Sequence, residues 1–151
     1  MKLVESILTK NPCYTAGRTI TVKGLMLHSV GCSQPSALAF IKNWNSPSFD
    51  RACVHGFIDG NDGTVYQTLP WNHRGWHSGS SINGSANNTH IGVEMCEPAC
   101  ITYTGGARVS AKGRHPLKKR LLQNLSAVPV ASLWNRTQEE KRRSSALTDV
   151  A

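Results

Sequence analysis

The sequence predicts an α/β domain. Three observations carry that reading: an apolar run bounded by glycines over residues 24–31 (GLMLHSVG), a helix-spaced segment directly after it, and two β-rich runs joined by GNDG. At 151 residues the chain can bury one core of ordinary size but not two, which excludes a multidomain machine.

Residues 1–23 mix Pro12, Gly17 and Thr/Lys as a surface lead-in does, with a short strand over 19–22 and no evident chemistry. The run over 24–31 is too short for a helix and reads as a buried strand with His28 near its end. Ser33, Gln34 and Pro35 then offer a cap and a first-turn proline. Leu38, Ile41 and Trp44 recur at i, i+3 and i+6, so a helix is expected over about 35–43, ended by Ser46 and Pro47. CVHGFID, GNDG and TVYQTLP form the clearest local signal, a β-hairpin closed by a Gly/Asn/Asp turn. Residues 71–79 (WNHRGWHSG) and 81–88 (SINGSANN) have the Gly, Asn, Ser and aromatic content of a rim loop that makes contacts. THIGVEM over 89–95 returns to a strand and carries Glu94 inside it; an ionised carboxylate there needs an open cleft or a cationic partner. Beyond Gly106, residues 116–125 (PLKKRLLQNL) align Leu117, Leu121 and Leu125, and Thr137 with Glu140 makes a capping box.

The net charge of +8 is unevenly spread: residues 1–107 hold 7 Lys+Arg against 6 Asp+Glu, whereas residues 108–151 hold 10 against 3. The same boundary separates 12 of the 13 glycines and all 5 cysteines from the tail. A chain with one coherent core rarely changes character so abruptly. With Trp134 as its one aromatic and no recognisable module, the tail reads as nonspecific charge, and no specific nucleic acid is expected as partner. No segment approaches the roughly 20 apolar residues of a membrane helix, and Glu5 interrupts the apolar core a signal peptide would need. The expectation is a chain made in the cytoplasm, without a membrane partner. Five cysteines, an odd number with no C-x-x-C, indicate neither a disulfide framework nor a cysteine-only zinc knuckle; they read as mostly buried thiols.

In order along the chain stand LMLHSVG, VHGFIDGNDGTVYQTLPWNHRGWHSG and NNTHIGVEM. Together, over roughly residues 20–106, they resemble the zinc-dependent N-acetylmuramoyl-L-alanine amidases of the type-two family, which also holds amidase-type phage lysozymes and peptidoglycan recognition proteins. The resemblance implies a central mixed β-sheet flanked by helices. It implies hydrolysis of the amide between N-acetylmuramic acid and the L-alanine of the stem peptide, with peptidoglycan as partner and Zn2+ as cofactor. Such a chain would act on the cell wall after release or export. That chemistry needs a nucleophilic water, a Lewis acid and a group to move protons, and zinc supplies the first two by lowering the pKa of its bound water.

By resemblance, His28 is the first zinc ligand and Glu94 the carboxylate that orients or deprotonates the water; the alternative for Glu94 is a pairing with a nearby Arg such as Arg74. His55 is placed beside the metal cleft as a supporting residue, counted with the substrate side. His77 is expected to contact substrate. Trp71, Asn72 and Trp76 would line the groove, since aromatic faces and amides suit sugar rings and peptide stems. His73 and His90 receive no chemistry.

The family completes its zinc site from the C-terminal third with a second histidine and an Asp or Cys. Here His115 comes too early and Asp149 stands two residues from the end, so the site is expected to be incomplete, and the chain a poor amidase. The boundary is explained by a frame shift or fusion near Ala107, leaving residues 1–107 as a truncated amidase-like domain, or by a divergent, helical basic tail over 108–151. The competing function is a non-catalytic muropeptide-binding module.

Overall fold

The computed structural model describes residues 2–104 and 107–109. Five strands make one sheet: β1 (Leu3–Glu5), β2 (Gly24–Ser29), β3 (Gly56–Ile58), β4 (Val65–Gln67) and β5 (His90–Met95), in the order β1-β4-β3-β5-β2. β3 and β4 are antiparallel, as the hairpin signal requires, and the other pairings are parallel, so the sheet is mixed. The glycine-bounded run forms β2 over Gly24–Ser29 and pairs with β5, but at the edge of the sheet, half-buried and with Leu27 exposed rather than buried as expected.

Alternation along the strands splits the apolar residues into two cores. On one face Ile58, Val65, Ile91 and Val93 enclose Trp71. On the other, Val54, Phe57 and Cys96 pack against Ala37 and its neighbours in α2 (Ala37–Trp44). Phe57 stacks on Phe40 at 5.2 Å and meets Trp44 edge-on at 5.0 Å, contacts worth about 0.5–1.5 kcal/mol each beyond burial.

α2 begins two residues later than the expected start at 35 because its cap is non-local. Ser36 makes no side-chain cap bond; instead the Ala37 N–H donates to Asp59 Oδ2 at 2.8 Å, and Asp59 thereby meets the positive end of the helix. Pro35 stays outside, its carbonyl accepting from the Gly60 N–H at 2.7 Å.

The expected strand over 19–22 is absent. Thr19 makes one isolated bridge to His73, and the Ile20 N–H donates to the Asn72 carbonyl at 2.7 Å, so the segment is laced to a loop rather than to the sheet. The lead-in instead holds β1 and a short helix, α1 (Pro12–Thr15). Asn11, fully buried, anchors it: Nδ2 donates to the carbonyls of Trp44, Phe49 and Ala52 at 3.1, 3.3 and 3.3 Å, while Oδ1 accepts from the Cys13 N–H at 2.9 Å. One side chain thus caps α1 and closes the chain leaving α2.

The cysteines correct the expectation of mostly buried thiols: only Cys53 and Cys96 are buried, Cys13 is half-buried, and Cys32 and Cys100 are exposed. β6 (Thr102–Thr104) and β7 (Ala107–Val109) form a separate antiparallel pair, so the compositional boundary falls inside paired secondary structure. What was expected of residues 110–151, including a frame shift or a helical tail, lies outside the described residues. Among the described residues no helix is long and apolar enough to cross a membrane.

Replacing Asn11 by Ala leaves the carbonyls of three half-buried residues and one helix end without their partner. The expected loss, read by urea denaturation, is about 2–3 kcal/mol, against about 0.5 kcal/mol or less for Asn83→Ala on the exposed loop.

Candidate active site

The register of β2 against β5 sets His28 opposite Glu94, and β3 sets Phe57 opposite the same residue. Paired positions in parallel strands project to one face, so His28 and Glu94 leave the α2 side of the sheet from strands about 4.8 Å apart. Glu94 is half-buried, and its Oε2 is buried without a hydrogen-bond partner among the described residues. Burial, then the charge of Glu97, pushes its carboxyl up to about 7. Arg74 does not neutralise it: that guanidinium donates from Nε to Asn88 Oδ1 at 2.7 Å. Of the two environments expected for a strand carboxylate, the cationic partner is not found among the described residues.

His77 joins this face from the loop. Its Nδ1 lies 3.1 Å from His28 Nε2 and its Nε2 lies 3.0 Å from the His90 carbonyl, with the His28 and His77 rings edge-on at 5.3 Å. The loop is held for this purpose by Asn87, which is buried. Asn87 Oδ1 accepts from the backbone N–H of His77 at 2.7 Å and of Ser78 at 3.0 Å, and Nδ2 donates to the Ser78 carbonyl at 2.8 Å. The His77 ring lies directly over Gly92, where a Cβ would stand 2.3 Å from His77 Cγ. Only glycine leaves room for it. Burial holds both His28 and His77 below the ordinary histidine value.

The structure buries both His55 and Trp71, away from the substrate side expected for them. His55 has no exposed surface: Nδ1 accepts from the Gly92 N–H at 3.0 Å and Nε2 donates to the His73 carbonyl at 2.8 Å. Burial lowers its pKa to about 4, so it is a neutral strut inside the fold. Trp71, 1% exposed, is the aromatic of the sheet core and offers no face to a groove. Asn72 is half-buried. Trp76 is 50% exposed, its main chain fixed by a pair of bonds with Cys53 at 2.9 and 2.8 Å, and it alone of the expected aromatics presents an open ring. His73 stacks on Tyr14 at 5.9 Å, and His90 bonds Thr89 Oγ1 through Nδ1 at 2.8 Å.

Sequence reasoning missed Asn87, Gly92 and Glu97. Glu97 is buried just past β5 and accepts from the Ser29 hydroxyl. Its spacing of three from Glu94 in EMCE was the available signal. For Asn87 there was none, because its partners are set by how the loop folds back.

Among the described residues, no group of three His, Cys, Asp or Glu side chains could hold a metal ion. His28 alone does not make a zinc centre.

Residues 18–141 match the family model for N-acetylmuramoyl-L-alanine amidase. The chain is 35% identical over 80 residues to N-acetylmuramoyl-L-alanine amidase CwlH of Bacillus subtilis (strain 168), covering 53% of this chain and 30% of that protein. It is 34% identical over 121 residues to CwlA of the same organism, covering 78% of this chain and 41% of CwlA. The structure of the catalytic domain of XlyA is similar with a TM-score of 0.53 and 27% identity, over 66% of this chain and 63% of that one. The chain thus spans less than half the length of these two curated relatives. The family match runs past the compositional boundary, and the mixed sheet is that of the amidase catalytic domains. The chain belongs to the N-acetylmuramoyl-L-alanine amidase family.

Proposed function

We propose that this chain is a peptidoglycan hydrolase that cleaves the amide between N-acetylmuramic acid and L-alanine, acting on the cell wall after release or export. The observation that carries the reading is Glu94: a half-buried carboxyl with one buried, unpartnered oxygen, in register with His28 on one face of a sheet of the amidase type. A carboxyl titrating near neutrality is suited to take a proton from an attacking water and return it to the leaving amine, since proton transfer is most efficient when the pKa lies near the working pH. The imidazole of His28 stands in the neighbouring strand, in register with Glu94. Trp76 offers a flat apolar surface to a sugar ring or stem peptide.

Zinc is the family's general expectation. The described residues do not complete a site for it, so the roles assigned here belong to the chain's own groups.

The test is release of stem peptide from purified peptidoglycan. Glu94→Gln, which keeps shape and removes the proton acceptor, is expected to lower the rate by about 10²–10⁴-fold. An unchanged rate would overturn the reading, and saturable muropeptide binding without release by the unmodified chain would establish the binding module in its place.

Stability gives a second check. The folded carboxyl binds its proton up to about 7, against an ordinary value of 4.5, so the folded state holds more protons than the unfolded one between those values and loses stability as pH rises through them. In chelator-treated protein, Glu94→Gln is expected to be more stable than wild type by about 1–2 kcal/mol at pH 8, after allowance for solvent screening of a half-buried group, and equal to it near pH 4.

A further inference from the structure

We propose that His77 is a positioning residue that holds His28 in one tautomer and one ring orientation, with the proton on Nε2 and the lone pair on Nδ1. The tautomer follows from geometry; its bearing on hydrolysis rests on the amidase reading.

At the far end of the chain of bonds stands the His90 carbonyl. A carbonyl oxygen only accepts, so the His77 nitrogen lying 3.0 Å from it, Nε2, must carry a proton. A neutral imidazole has one ring proton, which leaves His77 Nδ1 as an acceptor. His28 Nε2, 3.1 Å from that acceptor, must therefore donate. At the pH of the test, near 7.5 and so about one unit above the ordinary imidazole value, each ring carries a single proton. His28 then has its single proton on Nε2, and its Nδ1, which makes no hydrogen bond among the described residues, is a bare lone pair. Anchoring Nε2 also stops the ring from turning over, which would exchange the two nitrogens.

The surroundings of His77 serve its aim rather than its access. Asn87 fixes its backbone, Gly92 leaves the space beneath its ring, and at Gly75 a Cβ would stand 3.0 Å from its Cδ2. Both ring nitrogens are already engaged within the protein. This replaces the expectation that His77 contacts substrate: a ring spent at both nitrogens acts through His28.

The test combines spectroscopy with kinetics. In uniformly 15N-labelled, chelator-treated protein near pH 7.5, a coupling across the hydrogen bond between His28 Nε2 and His77 Nδ1 is expected, with His28 protonated at Nε2 alone. His77→Phe keeps the ring over Gly92 but removes the acceptor. His77→Asn sets an amide oxygen near the old Nδ1 position. The phenylalanine variant is expected to lose the His28 Nε2 proton signal and to show both tautomers, with the rest of its amide spectrum preserved. The asparagine variant is expected to restore the single tautomer. In peptide release, kcat should fall about 10–100-fold in His77→Phe with KM little changed, and recover largely in His77→Asn. A His28 proton found on Nδ1 in the wild type would overturn the proposal, and so would a single Nε2–H tautomer surviving in His77→Phe. If His77→Phe does not fold, the wild-type coupling and the asparagine variant decide. Failure of the unmodified chain to release peptide would overturn the amidase reading and leave the tautomer result standing.

Discussion

The imidazole and carboxyl face of the sheet depends on a missing side chain. Gly92 sits in the middle of β5 and is used on every side: the His55 N–H donates to its carbonyl at 2.8 Å, its own N–H donates to His55 Nδ1 at 3.0 Å, and the space where a Cβ would project is filled by His77. A methyl group there would displace the ring that bonds His28 while leaving the ladder of the strand formally intact. The backbone of one residue therefore joins a buried histidine beside the strand to an aimed histidine above it, and a strand interior is normally a poor place for glycine unless something must come that close.

Burial decides the state of Glu94, and no cation offsets it. A cationic imidazole beside a carboxylate would lower its pKa; here burial disfavours charge on the rings, the guanidinium of Arg74 is turned to Asn88, and the charge that acts on Glu94 is another carboxylate, Glu97. Asp59, also buried, is committed to the start of α2. The fold thus gives its buried acidic groups separate roles. Asp59 caps a helix, Glu97 accepts from Ser29, and Glu94 is left with a buried, unpaired oxygen.

What could be read in the chain beforehand was what is local. The apolar run that became β2, the hairpin, and the strand bearing Glu94 each announce themselves within a few residues, and the motif order pointed to the family and its mixed sheet. The misreadings share a cause. Trp71 lies among glycines and polar residues that look like a rim, yet the side chain enters the core between strands distant in sequence. β1 has three residues and a partner about sixty positions away, too little pattern to detect. Asn11 and Asn87 are ordinary loop asparagines until the carbonyls and amides they bind are brought to them, and the helix cap at Asp59 comes from beyond the next strand.

The sheet order carries a consequence for how the chain comes into being. β1 leaves the ribosome first but its sole partner, β4, is made about sixty residues later; β2 likewise waits for β5. At a synthesis rate of about 5–20 residues per second, each strand spends about 3–13 seconds with no edge to pair with. Only the central hairpin can form as soon as it emerges. Assembly of the five-stranded sheet therefore runs outward from β3 and β4, and its last event is the arrival of β5, which in one step supplies the missing edge for β2 and brings His28 and Glu94 side by side.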